Sequence, residues 1–122
     1  MDIVLKLSRF LYAAAMFVFG IQHFVYADFT ATIVPAWIPG HLFWVYFVGI
    51  ALIVSAISIV INKKAHLACI LLGCMLFLFV ILIHIPLILQ NYHNGGEITN
   101  AFKDIGLASA ALILSNSFRS TK

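Results

Sequence analysis

The chain has 122 residues, of which 64% are hydrophobic and 9% charged, with a formal net charge of +3 and a mean hydropathy of +1.11. A soluble domain carries about 25% charged residues, so this composition is too poor in charge for a water-facing fold. Seven Lys and Arg, dispersed along the chain, do not build a nucleic-acid surface and read instead as membrane-topology signals.

Residues 10–27, 29–62 and 65–96 contain no Lys, Arg, Asp or Glu, and 105–118 form a shorter run of the same kind. Crossing the hydrocarbon takes about 20 helical residues. Four helices are therefore predicted, over 5–26, 41–61, 65–90 and 101–118. The expected fold is an all-α integral membrane four-helix bundle forming a single domain over 1–122. Lys6 and Arg9 ahead of an apolar stretch imitate a secretory signal, but the stretch is long enough to span and three more follow, so it reads as a retained helix. In it, Ala13 and Gly20 share a face with Arg9 and His23.

Between the first two helices runs "VPAWIPGHLFW", residues 34–44. Pro35 and Pro39 bar a continuous helix, and backbone without regular hydrogen bonds does not face lipid. Trp37, Trp44 and Tyr46 favour the headgroup level. The segment is thus expected at the outer interface, re-entrant or lying flat over the bundle mouth, either as a lid or as a simple anchor. The second helix then opens at Pro39 or Gly40 and carries Ala51, Ser55, Ser58 and Asn62 at helical spacing. In the third, Cys69 and Cys74 lie about 140° apart around the axis and read as small packing residues, while Phe77 and Phe79 are expected against lipid or a partner. Pro86 frees the carbonyl of Leu82. The fourth helix takes Thr99 or Asn100 as its cap, and its Gly106, Ala108, Ser109, Ala110, Ala111 and Ser115 allow close approach of neighbours.

Orientation follows from the basic residues. Lys6 and Arg9, Lys63 and Lys64, and Arg119 and Lys122 fall on one side, whereas connections 28–40 and 91–100 have no Lys or Arg. The positive-inside rule then puts both termini in the cytoplasm. Polar groups gather at the opposite end: Gln22 and His23 late in the first helix, His84 about 9 Å from the end of the third, and Lys103 and Asp104 in the opening turn of the fourth. Ionisable groups inside a membrane are costly and face the bundle interior. Each also has a plainer reading, as an interfacial histidine (His23), a donor to a backbone carbonyl (His84), a helix-start charge (Asp104) or a snorkelling lysine (Lys103). Asp104 is too short to snorkel, so an inward Asp104 needs a partner, with His84 or His23 the natural one. His23 and His84, on separate helices at similar depth, are compatible with axial haem ligands or a metal site but point to neither specifically; His41, His66 and His93 lack ligand spacing, and no metal site is predicted.

Arg9, the Gly20-x-x-His23-Phe24 stretch, Val34-Pro35 and Ile38-Pro39 ahead of Trp44 and Gly49, then His84-x-Pro86 and Lys103-Asp104-x-Gly106, together resemble the DoxX family of small bacterial membrane proteins. The resemblance covers essentially the whole chain. It implies a four-helix bundle with both termini inside, in the bacterial inner membrane. For activity it implies several directions: subunits of quinone-linked oxidation, partners of redox-stress enzymes, and eukaryotic receptor-assembly chaperones. It carries over motif positions but no catalytic set.

The leading expectation is a subunit that binds a quinone-like lipophile in an outer-leaflet pocket. His84 and Asp104 would exchange protons with the ligand, and Gln22, His23, Trp37 and Lys103 would hold it. Electrons would come from a membrane or cytoplasmic redox partner, since the chain has no redox cofactor motif; a homo-oligomer is also compatible. The rival is a non-catalytic assembly or interaction protein, and a third reading is an isomerase acting on a lipid-soluble substrate. Geometry separates them: a cavity at Asp104 and His84 favours a ligand, whereas mutual hydrogen bonding without a cavity favours a structural lock.

Overall fold

The computed structural model describes residues 2–93 and 95–118, and all regular structure in them is helical. Arg119 and Lys122, used above as topology signals, lie outside the described residues. Asp2 opens α1 (Ile3–Val25) by accepting a hydrogen bond from the backbone N–H of Val4, one of the four donors a helix start leaves unpaired. A break at Tyr26 leads into the short α2 (Ala27–Ala31), so part of the first connection is helical rather than extended.

Helix α3 (His41–Ile61) begins after Pro39 at Gly40, whose φ of 71° is a left-handed conformation that glycine adopts without strain. It ends at a left-handed Asn62, where the N–H groups of Asn62 and Lys63 both return to the Ser58 carbonyl. The chain then reverses within three residues into α4 (Ala65–Phe79). At Val80–His84 the helix widens into a π turn, in which the N–H of Ile85 reaches the Val80 carbonyl, and it resumes as α5 (Ile85–Gln90). Pro86 accounts for the widening, because its ring collides with the carbonyl four residues back in a regular α-helix. The π turn also carries His84, which is buried.

The last helix, α6, runs Gly95–Ser117 and so starts well ahead of the expected residue 101. Gly95 and Gly96 read as breakers, but the first turn of a helix has no intrahelical donors to lose. Ile3–Val25, His41–Ile61 and the continuous Ala65–Gln90 are long and apolar enough to cross a membrane. Helix α6, with Glu97, Lys103 and Asp104, is more polar.

Packing joins α1 to α3 and α4 to α6 most closely. A Cβ on Gly20 would lie 3.0 Å from the Gly49 carbonyl, and one on Gly73 would lie 3.2 Å from the Ala108 carbonyl. These are the contacts small residues permit between helices. The shared core holds Met16, Leu52, Ala56, Cys69, Leu72, Ala108 and Ala111. Cys69 packs as expected, but Cys74 is exposed, and both are free thiols. Phe77 and Phe79 are partly buried against this core rather than on the outer face, and Gly106 meets open space.

The two pairs are tied by side chains. Tyr12 donates to the Leu107 carbonyl (2.6 Å), and Arg9 donates through Nη2 to the Ser117 carbonyl (2.6 Å), with its guanidinium 3.8 Å from the Phe118 ring centroid. Within the α4–α6 pair, His66 donates from Nδ1 to the Ser115 carbonyl (2.8 Å). Arg9 and His66 thus bind carbonyls in the last turn of α6, at the partly negative end of that helix, where the Ser115 carbonyl also accepts the Phe118 N–H. A purely topological role for Arg9 misses this.

Candidate functional site

Toward the end of the molecule that carries His84, the two helix pairs leave a cavity of about 1000 Å³ between them. That is the upper end of the ~300–1,000 Å³ typical of small-molecule sites. Most of its wall is apolar, from Met16, Phe19, Val48, Met75, Leu76 and Leu107 among others. Ile33, Val34, Pro35, Trp37, Ile38 and Pro39 border it, so the proline-rich segment forms part of its wall. That segment is pinned locally: the Ile38 N–H meets the Pro35 carbonyl, and Trp44 Nε1 donates to the Pro39 carbonyl at 3.0 Å.

One polar wall faces this space. His84 and Asp104 both line the cavity, and His84 Nε2 is 2.8 Å from Asp104 Oδ2. On its other nitrogen, Nδ1, His84 is bonded to Glu97 Oε1. All three side chains are about nine-tenths buried. The ring therefore bridges two carboxylates from one face of α6. Glu97 and Asp104 are seven residues apart, about two turns, which places them on that same face.

The hydrogen-bond count constrains the protons. If both carboxylates are ionised, each needs a hydrogen from the ring, so His84 is an imidazolium. If the ring is neutral, one carboxyl carries the proton instead. Both forms contain the same number of protons and have a net charge of −1, so a proton can move along the chain of bonds without leaving it. Lys103 stands beside the unit, with Nζ 4.0 Å from Asp104 Oδ1 and 5.1 Å from the Phe19 ring centroid.

The remaining expected site residues are distributed unequally. His23 lines the cavity, but its Nδ1 donates to the Phe19 carbonyl (2.7 Å) one turn back on its own helix, so it is not the partner of Asp104. Gln22 and Trp37 sit at the rim, with Trp37 73% exposed. Asn100 also lines the cavity, inside α6 rather than capping it. Glu97 is the functional candidate that sequence reasoning missed; its seven-residue spacing from Asp104 would have revealed it had the helix been started at Gly95. No group of three or more His, Cys, Asp or Glu is arranged to hold a metal ion among the described residues.

No curated protein and no solved structure matches the chain. A protein-family match covers residues 12–114, a span that includes every cavity residue named above. The chain belongs to the family described as "Domain of unknown function (DUF8561)".

Proposed function

We propose that this protein is a four-span membrane subunit of the bacterial inner membrane, with both termini cytoplasmic, that binds a quinone-like lipophile in a pocket open toward the outer leaflet. The observation that carries the reading is the large apolar cavity with an Asp104–His84 pair in its wall. An apolar pocket with a few convergent polar groups is the usual form of a small-molecule site. The ring of a quinone fits against Phe19, Met75 and Leu76, with one oxygen at Asp104 and Lys103. Asp104 and His84 supply or accept the protons that accompany reduction or oxidation of the head. The electrons come from a redox partner protein. Gln22 and Trp37 hold the rim, and the resemblance to DoxX proteins supports the same reading by analogy.

A second reading keeps one specific observation on its side. Both ring nitrogens of His84 are engaged by carboxylates, as in a polar lock that fixes helix positions for assembly with a partner. The two readings separate in a titration of the purified protein with a short-chain ubiquinone, followed by quenching of Trp37 and Trp44, which both border the cavity. Saturable quenching is expected. Asp104→Asn, which keeps a hydrogen bond to His84 but removes the charge, should weaken binding by roughly 10- to 100-fold. Val48→Phe, which fills the cavity, should do the same. Linear quenching that neither variant changes would leave the lock as the better account.

A further inference from the structure

A second, smaller depression lies at the opposite end of the molecule, where the start of α1 meets the end of α3. It encloses about 250 Å³ and is lined by Lys6, Arg9, Phe10, Ile59, Val60 and Asn62. Its volume falls below the ~300 Å³ at which whole small-molecule sites begin, so it suits a headgroup rather than an entire ligand. Lys6 and Asn62 are exposed at its mouth, Ile59 is buried at its base, and Phe10 and Val60 form a wall that is more than half exposed.

Charge is unevenly divided between the two ends. Lys6 and Arg9 line this depression, Lys63 and Lys64 follow its Asn62 in the chain, and Asp2 is the acidic residue at this end. Asp28, Glu97 and Asp104 lie at the other end with Lys103. The N-terminal dipole of α1 and the C-terminal dipole of α3 oppose one another here, so the cationic side chains set the local sign. Arg9 adds its charge from the wall while its Nε and Nη2 remain on Ser117.

We propose that this groove binds the headgroup of an anionic glycerophospholipid. The Lys6 ammonium and the Asn62 amide meet the phosphate, and the adjoining acyl methylenes run along Phe10 and Val60. The exposed apolar wall selects a lipid over a free anion, because it continues into the apolar outer faces of α1 and α3, where Leu7, Leu11 and Ile57 are also exposed. Basic pockets between membrane helices are suited to such headgroups, with about five-fold in affinity expected for each lysine near the surface. This site is independent of the cavity at His84.

Native mass spectrometry of the full chain with phosphatidylglycerol and phosphatidylcholine of matched acyl chains tests the assignment. The wild type is expected to retain phosphatidylglycerol about five-fold or more over phosphatidylcholine. Lys6→Gln should remove most of that preference and Lys6→Arg should keep it. Val60→Trp should lower phosphatidylglycerol retention with every charge still in place, and excess inorganic phosphate should not displace the lipid. Circular dichroism checks that each exposed-site variant stays helical. Equal retention of the two lipids, no effect of Lys6→Gln or Val60→Trp, or displacement by inorganic phosphate would each overturn the proposal.

Discussion

Replacing His84 with alanine is expected to destabilise the protein more than any other single change at the cavity. The ring stands between Asp104 and Glu97, whose side chains are 9% and 11% exposed. Without it, two carboxylates face each other in a space with little water to solvate them. Breaking a buried charged network in this way costs about 3–5 kcal/mol, partly relieved if one carboxyl takes up a proton. Thermal unfolding in detergent, followed by circular dichroism, should show a large drop in Tm. The triple change His84→Ala, Glu97→Gln and Asp104→Asn should recover much of it, because the stranded charges are gone. A His84→Ala protein as stable as wild type, or a triple variant no better than the single, would mean that the network carries no such coupling.

Gly49→Val should produce the second large effect, at the crossing of α1 and α3. Even a Cβ at Gly49 would lie 2.9 Å from the Phe24 ring, 3.0 Å from the His23 Cβ and 3.2 Å from the Gly20 carbonyl. The ring can turn, but the carbonyl belongs to a helix backbone and cannot. Valine adds two further methyl groups to this contact, so the helices must separate, at about 1–3 kcal/mol or more. Moving α1 also displaces His23 and Phe19 from the cavity wall, so ubiquinone binding should weaken alongside stability. Gly106→Ala provides the contrast. It meets nothing within 4 Å and replaces glycine within a helix, so it should leave stability unchanged or raise it slightly, by up to ~1 kcal/mol. Equal losses from both substitutions would show that the Gly20–Gly49 approach is not what matters.

Much of this architecture is legible in residue order because charged residues are so sparse that they punctuate the helices. Charge-free runs locate the helices over 41–61 and 65–90, and the first, expected over 5–26, differs from Ile3–Val25 by only a residue or two at each end. The need of a short, inward carboxylate for a partner narrows the choice for Asp104 to His84 or His23, and the structure pairs it with His84. What stayed hidden depends on geometry that spacing does not express. Gly95 and Gly96 concealed the first turn and a half of α6, and with it Glu97. The π turn reaches His84 through Pro86, whose effect on the phase of the helix is readable only once the backbone has chosen how to absorb the proline. Arg9 meets Ser117 across nearly the whole chain, a contact that no local pattern announces. His23 lines the cavity but spends its Nδ1 on the Phe19 carbonyl four residues back, a local solution open to any helical histidine.

The ligand-binding account is tested most directly by what the purified protein already holds. Wild type and Asp104→Asn would be purified in parallel, checked for equal helicity, and extracted with organic solvent for mass spectrometry. The account predicts a quinone or similar lipophile that accompanies the wild type at close to one per chain and is largely lost from Asp104→Asn. A wild type that carries no lipophile, or one that both proteins retain equally, would contradict it.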